Sequence, residues 1–184
     1  VEAILRAAGH QVGVVSTVEM RFGNTVLPTT YTTPTPDILH SALAQMRASG
    51  CSHVVMEVTS SALTLERVAG ITFAVGAFTN LTQDHLDVHG SMDNYRAAKR
   101  RLFSDFLTPT GVAVINVDGP EGQQLCGIAN TTVTVSTHPD RPASLHVTDA
   151  ESSVAGIRMT VTTPRGELTV ASRPLIGAYN VQNL

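Results

Sequence analysis

Almost continuously apolar segments alternate with amphipathic segments through the first two thirds of this chain. Strands of such composition are buried on both faces of a sheet, and strands that alternate with helices form parallel sheets because each crossover helix covers the sheet. The alternation therefore predicts an α/β fold in which a mostly parallel sheet is flanked by helices. The predicted strands cover residues 12–17, 52–58, 73–79 and 111–117.

The amphipathic segments carry residues typical of helix starts and ends. Thr35 and Pro36 suit an N-cap and a first helical position, and Gly50 suits a helix end. Ser91 predicts the start of another helix, over about residues 91–106. Shorter helices are predicted over residues 2–8 and 61–68. The helix from Pro36 has one apolar face, which consists of Ile38, Leu39, Ala42, Leu43 and Met46.

The pattern changes at about residue 131, where period-two segments separated by turn residues replace the helical alternation. Such segments are typical of antiparallel hairpins. We therefore expect one domain over residues 1–184, with an α/β core over about 1–130 and an appended antiparallel β region over about 131–175. The antiparallel strands are predicted over residues 145–150, 156–163 and 167–172.

Both ends of the chain lack features that such a fold normally has. No strand precedes the first helix, and the segment from Gly177 opens a helix that has no cap or breaker. We therefore expect this chain to be truncated at both ends relative to a longer protein.

Charge and hydropathy exclude several classes of protein. The formal net charge is −3 and no run of basic residues occurs, so nucleic acid is not an expected partner. No apolar run approaches the roughly 20 residues that span a bilayer, and no signal peptide opens the chain. Cys51 and Cys126 form no metal-binding or redox pair. We expect a soluble, cytoplasmic protein.

Residues with metal-binding and acid–base chemistry gather near the predicted strand ends. Because the carboxyl ends of parallel strands meet at one edge of a sheet, we expect Glu57 to approach the loop that reaches Gly90. A carboxylate that follows an apolar strand is costly to bury alone, so Glu57 is predicted to meet a cation, and a solvated carboxylate is the alternative. The loop contains Asn80, Asp84, His85, Asp87 and His89.

The spacing of His85 and His89 also suits zinc if both lie on one helix face, but Gly90 and the lack of helical periodicity favour a loop. Lys99 is the only lysine beside eleven arginines. A bias toward arginine is one explanation of its isolation, and packing of its stem on Tyr95 and Phe103 is the structural alternative to a catalytic role.

Four segments together resemble the Mur ligases, over nearly the whole chain. They are residues 56–63, 66–68, 78–90 and 94–99. The resemblance is to the central ATPase domain, which is P-loop NTPase-like, and to the branch that adds a diamino acid to a UDP-N-acetylmuramoyl dipeptide. It implies an ATP-dependent amide ligase of peptidoglycan synthesis that works through an acyl phosphate and adds meso-diaminopimelate or L-lysine.

The resemblance also implies roles for individual residues. Glu57, His85 and a carbamylated Lys99 would hold two magnesium ions, and His85 and Lys99 would be catalytic. The implied contacts to the UDP-muramoyl peptide are those of Thr32, Thr33, Thr59 and Arg67. The implied nucleotide contacts are those of Asn80, Asn116, Asp118 and Asn180, although Asn116, Asp118 and Asn180 also suit ordinary turns.

Two positions depart from the family pattern. Leu65 lies where some members have a substrate-binding Gln, and Ser61 lies where a His is common. We expect the Gly-rich phosphate loop and both terminal domains of the family to lie outside this chain. We therefore expect this chain alone to bind ATP weakly and not to hydrolyse it.

Three other functions remain open at the level of sequence. Within the same superfamily, the alternative is a folylpolyglutamate or cyanophycin synthetase. A metal-dependent hydrolase would use His85, Asp87 and His89 to hold zinc. A non-catalytic remnant would bind only a nucleotide or a partner.

Overall fold

The computed structural model describes residues 1–82, 86–177 and 180–181. It divides into two compact units, one formed by Val1–Ile71 with His85–Leu102 and the other by Thr72–Asp84 with Phe103–Leu184. Each unit contains its own sheet. Within the described ranges, no helix combines the length and apolar character needed to cross a membrane.

The first unit is built on a four-stranded sheet. Its strands are β1 (Val12–Val15), β2 (Met20–Phe22), β3 (Thr25–Leu27) and β4 (His53–Met56), in the order β3-β2-β1-β4. β1 pairs in parallel with β4, whereas β2 is antiparallel to both β1 and β3. The parallel pair brings the carboxyl ends of β1 and β4 to the same edge.

Five of the helices that the structure describes lie wholly or mainly in this unit. They are α1 (Glu2–Ala7), α2 (Pro36–Ala48), α3 (Ser60–Thr64), α4 (Leu86–His89) and α5 (Met92–Ser104). The predicted start of α2 is confirmed, with Thr35 at the N-cap and Pro36 at the first position. Its buried residues are Leu39, Ala42 and Met46. Gly13 in β1 allows this close packing, because a Cβ there would lie 2.5 Å from Met46 Sδ.

Two features of the first unit differ from the sequence predictions. The hairpin of β2 and β3 is not predicted, because strands of three residues are too short to show a period. The prediction of a loop up to Gly90 is wrong over Leu86–His89, because these residues form the single helical turn α4. Gly90 closes this turn with a φ of 73° and donates its N–H to the Leu86 carbonyl. Residues 83–85 lie outside the described residues.

The second unit contains a six-stranded sheet in the order β10-β9-β8-β7-β6-β5. Its strands are β5 (Phe73–Phe78), β6 (Leu107–Asn116), β7 (Thr131–Ser136), β8 (Leu145–Ser153), β9 (Gly156–Thr163) and β10 (Gly166–Ser172). The pairs from β5 to β8 are parallel, and β8, β9 and β10 are antiparallel. The predicted mostly parallel sheet with an antiparallel extension is confirmed, but the predicted strands at residues 12–17 and 52–58 pair in the separate sheet of the first unit. Antiparallel pairing begins at β8, however, and not near residue 131, because β7 pairs in parallel with β6.

The short helix α6 (Pro120–Leu125) joins β6 to β7 and packs closely on the end of β6. A Cβ at Gly122 would lie 1.8 Å from the Asn116 carbonyl oxygen. We expect Gly122→Ala to lower the free energy of unfolding by about 1–3 kcal/mol, because the backbone must shift to admit the methyl group. Chemical denaturation measures this change. Gln124→Ala, at an exposed position of the same helix, is the matched control and should leave the unfolding midpoint unchanged.

Candidate active site

Glu57 lies directly after β4, beside the end of β1. Its backbone N–H donates to the Val15 carbonyl at 2.9 Å, which extends the parallel pairing by one step. Its carboxylate Oε2 accepts hydrogen bonds from the Thr17 hydroxyl at 2.7 Å and from the Thr17 N–H at 3.2 Å. The parallel register therefore delivers both residues to one edge, as the sequence predicts for Glu57.

The carboxylate of Glu57 is exposed, so the premise that it is buried after an apolar strand is wrong. Its Oε1 atom accepts no hydrogen bond from any residue that the structure describes. A carboxylate oxygen next to a threonine hydroxyl is a set of hard oxygen donors of the kind that Mg²⁺ prefers. The residues present therefore fit a magnesium ion at Glu57. Over the described ranges, no group of three His, Cys, Asp or Glu side chains is close enough to hold a metal.

The two adjacent threonines of the predicted substrate site have different surroundings. Thr33 is 1% exposed. Its hydroxyl donates to the Glu57 carbonyl at 2.9 Å and accepts from the Thr59 N–H at 3.1 Å. The hydroxyl of Thr32 instead lies 3.0 Å from that of Thr17, at the surface. Thr33 therefore fixes the backbone around the site, whereas Thr32 presents its hydroxyl beside Glu57 and Thr17.

The predicted residues Thr59 and Arg67 lie at the two ends of the segment that contains α3. Thr59 is the N-cap of α3, and its hydroxyl accepts the Ala62 N–H at 3.1 Å. Arg67 follows α3 after Glu66, whose φ of 54° turns the chain back. Arg67 Nη1 donates to the Thr33 carbonyl at 3.0 Å, and its guanidinium carbon lies 4.3 Å from the centre of the Tyr31 ring. The first unit thus brings all four predicted substrate residues close to one another.

Lys99 lies on α5 in the same unit. Its Nζ is 5.3 Å from the centre of the Tyr95 ring, and no carboxylate in the described ranges pairs with it. Burial lowers the pKa of Lys99 below its usual value, because desolvation disfavours the ammonium. A lysine in this environment reaches the neutral form more readily than one in water. Its contact with Tyr95 is also the packing that the structural alternative predicts.

His89 is 7% exposed and makes its contacts inside the protein. Its Nε2 lies 2.9 Å from the Ser60 hydroxyl, and its ring stacks on Tyr95 with centroids 5.1 Å apart. Nε2 of His89 already has a partner, so the zinc hydrolase alternative would have to use its other ring nitrogen, Nδ1. Its proposed partner His85 lies outside the described residues.

The predicted nucleotide residues of the second unit are mostly engaged in turns. Asp118 accepts hydrogen bonds from the Ser136 hydroxyl at 2.6 Å and from the N–H and hydroxyl of Thr137 at 3.0 and 2.7 Å. Burial alone would raise the pKa of Asp118. The three hydrogen bonds have the larger combined effect, and the pKa lies below its usual value. Asn116 Oδ1 accepts the Asp118 N–H at 2.8 Å. These contacts favour the turn-forming interpretation of Asn116 and Asp118.

The remaining two nucleotide residues differ in their surroundings. Asn80 follows β5 and is exposed. Asn180 donates from Nδ2 to the Ile176 carbonyl at 2.8 Å, which also suits a turn. Their predicted contacts to a nucleotide stay predictions.

Sequence reasoning missed Thr17 and Tyr31 at this site. Thr17 is the second residue after β1, whose parallel partner β4 ends just before Glu57. That shared register is the signal that could have identified it. Tyr31 directly precedes the two threonines, but an exposed aromatic residue in a loop gives no sign of the arginine above it.

Known proteins resemble this chain in sequence and in fold. The family described as the Mur ligase middle domain matches residues 1–184. The UDP-N-acetylmuramoyl-L-alanyl-D-glutamate–2,6-diaminopimelate ligase of Chlorobium phaeobacteroides is 40% identical over 194 residues, which cover 100% of this chain and 37% of that protein. The ligase of the same name from Corynebacterium glutamicum is 41% identical over 181 residues, which cover 97% of this chain and 35% of that protein.

A solved structure of a ligase with this name is also similar. Its TM-score is 0.86 at 27% identity, and the match covers 99% of this chain and 37% of that chain. The likeness confirms the predicted fold class. The chain spans about 37% of the length of these relatives.

The buried hydroxyl of Thr33 gives a direct test of its structural role. We expect Thr33→Val to lower the free energy of unfolding by about 1–3 kcal/mol, because the Glu57 carbonyl and Thr59 N–H lose their partner inside the protein. Thr32→Val is the matched control, and its effect should stay below about 0.5 kcal/mol because surface substitutions rarely exceed that value. Equal destabilisation of the two variants in chemical denaturation would contradict this assignment.

Proposed function

This chain belongs to the Mur ligase family, and on that basis we propose that the whole protein is an ATP-dependent amide ligase of peptidoglycan synthesis. The proposed reaction joins 2,6-diaminopimelate to UDP-N-acetylmuramoyl-L-alanyl-D-glutamate. The names of relatives at 40–41% identity support this choice of amino acid over L-lysine. The observation that carries the proposal is the cluster of Thr32, Thr59, Arg67 and Glu57 around the buried hydroxyl of Thr33.

The proposed chemistry has two steps. A carboxylate oxygen of the muramoyl dipeptide attacks the γ-phosphorus of ATP. The bond from this phosphorus to the oxygen that bridges it to the β-phosphate breaks, so ADP leaves and an acyl phosphate is formed. The amine of 2,6-diaminopimelate then attacks the acyl carbon, phosphate leaves, and the nitrogen loses a proton as the amide forms. Arg67 and the hydroxyl of Thr32 would hold the muramoyl substrate during both steps.

Glu57 would hold a magnesium ion, which neutralises phosphate charge as the phosphoryl group is transferred. Thr17 fixes one carboxylate oxygen through two hydrogen bonds and leaves the other oxygen free to bind. A carbamate on Lys99 would supply further oxygen ligands, whereas a free ammonium would repel a cation. The proposal therefore includes two magnesium sites, and the ligands are Glu57, the carbamate on Lys99 and His85.

The lowered pKa of Lys99 supports this modification. Carbon dioxide reacts with a neutral amine, and burial favours the neutral form. ATP, the UDP-linked dipeptide and a free diamino acid are the substrates that this proposal requires, and we place the reaction in the cytoplasm.

The full-length protein provides the test of this function. We expect it to release ADP only when Mg²⁺, ATP, UDP-N-acetylmuramoyl-L-alanyl-D-glutamate and 2,6-diaminopimelate are all present, with the tripeptide product identified by mass spectrometry. Replacing 2,6-diaminopimelate by L-lysine should give less product. Use of a folate and glutamate as substrates, or hydrolysis of amides with zinc and without ATP, would replace the proposal with one of the alternatives.

Lys99 gives a sharper test of the carbamate. Lys99→Arg should lose activity as severely as Lys99→Ala, by at least about 10- to 100-fold, because arginine keeps the positive charge but cannot become an anionic ligand. Acetate or formate should partly restore Lys99→Ala by occupying the vacated space. Arg47→Lys, at an exposed position in the last turn of α2, is the control for a conservative exchange. Full activity of Lys99→Arg in the ADP-release assay would refute the carbamate.

A further inference from the structure

Arg67 is held by two contacts of different kinds. Its Nη1 donates to the Thr33 carbonyl at 3.0 Å, which fixes one corner of the guanidinium. The face of the guanidinium lies over Tyr31, with the central carbon 4.3 Å from the ring centre. A hydrogen bond and a stacked ring together restrict both the position and the plane of this group.

The opposite edge of the guanidinium stays available. A guanidinium carries five N–H donors, and one contact to Thr33 uses only part of this capacity. Among the residues that the structure describes, Arg67 makes no other hydrogen bond or ion pair. An oriented guanidinium with unused donors is suited to carboxylate or phosphate oxygens, which it can bind through two parallel hydrogen bonds.

Tyr31 does not belong to the buried core of the protein. Its side chain is 50% exposed, and it lies in the loop immediately before Thr32 and Thr33. The hydrogen bond from the Thr29 hydroxyl goes to the Tyr31 carbonyl and not to the phenol. The face of the ring lies against the guanidinium of Arg67.

We propose that Tyr31 is a positioning residue that holds the Arg67 guanidinium against the Thr33 carbonyl, so that its free edge receives an anionic group of the substrate. The identity of that substrate rests on the proposed function. The aromatic ring acts through Arg67 and does not itself need to touch the reacting atoms.

The physical advantage is pre-organisation. Arginine has a long side chain, and binding an anion with a mobile guanidinium loses affinity because the side chain must be ordered first. The ring of Tyr31 restricts the guanidinium before the substrate arrives. Removing the ring should therefore weaken substrate binding and leave the chemical step largely intact.

Kinetics of the full-length protein test whether Tyr31 contributes to substrate binding. Tyr31→Ala should raise KM for the UDP-muramoyl dipeptide about 5- to 30-fold, the range that corresponds to a partly desolvated cation–π contact. The values of kcat and of KM for ATP should change less than about twofold. The contact between Arg67 and the UDP-muramoyl dipeptide is made equally in the bound substrate and in the transition state, so its loss does not raise the barrier of the chemical step. Tyr31→Phe should behave like the wild type, since Phe keeps the ring face.

The double variant Tyr31→Ala/Arg67→Ala separates positioning from a direct contact. If Tyr31 acts through Arg67, the double variant should bind the substrate no more weakly than Arg67→Ala alone. Additive losses would show that Tyr31 contacts the substrate independently and would overturn the proposal. Equal loss in Tyr31→Phe and Tyr31→Ala would also overturn it, because the phenol and not the ring would then be responsible.

Calorimetry with two ligands identifies the anionic group. One ligand is UDP-N-acetylmuramoyl-L-alanyl-D-glutamate, and the other is the muramoyl dipeptide without UDP. A similar loss of affinity for both ligands in Tyr31→Ala supports positioning toward a dipeptide carboxylate. A loss confined to the first ligand supports positioning toward the diphosphate. Unchanged affinity for both ligands would overturn the proposal.

Chemical labelling tests the Tyr31–Arg67 contact without any assumption about activity. Phenylglyoxal modifies arginine, and mass spectrometry of the digested full-length protein reports the rate at each site. Arg67 should react several-fold faster in Tyr31→Ala than in the wild type or Tyr31→Phe. Arg6, which pairs with Glu2 at 2.9 Å, is the internal reference and should react at one rate in all three proteins.

The two kinds of measurement distinguish failure of this inference from failure of the proposed function. A wild-type protein that performs no ligation refutes the function, and the labelling rates still decide whether Tyr31 holds Arg67. Equal labelling of Arg67 in wild type and Tyr31→Ala overturns the inference even if the ligase reaction is confirmed.

Discussion

The hydroxyl of Thr33 connects the segments that carry the candidate site. It donates to the carbonyl at the end of β4 and accepts the N–H at the start of α3, while the Thr33 carbonyl accepts Arg67. An unsatisfied buried donor or acceptor is costly, so these partners hold one another in a single arrangement. Glu57, Thr59 and Arg67 therefore keep their relative positions through one threonine that lies almost entirely inside the protein.

The elements that were predictable have strong local patterns. Valine-rich runs identify β1 and β4, and the spacing of Leu39, Ala42 and Met46 identifies α2 together with its cap. The hairpin of β2 and β3 depends on pairing with β1, which a run of three residues does not reveal. The strand β7 has threonine at alternate positions, so its sequence resembles an antiparallel strand, and only its neighbours make it parallel.

The candidate site was predictable to the extent that sheet geometry and family resemblance determine it. The edge of the first sheet could be expected to hold Glu57, and the resemblance pointed to Arg67 and Thr59. The burial of Thr33 and the contact of His89 with Ser60 could not be predicted, because they depend on segments far apart in the chain. Asp118 illustrates the same limit, since a carboxylate after a strand suits a ligand or a turn, and only its partners in the second unit favour the turn.

The exposure of Glu57 has a consequence for how the protein is assembled. A carboxylate buried without a counter-charge would make folding depend on a metal ion, because an unpaired charge is costly to remove from water. Here the carboxylate is exposed, and Thr17 donates two hydrogen bonds to it. The first unit therefore does not depend on a cation at Glu57 in order to fold.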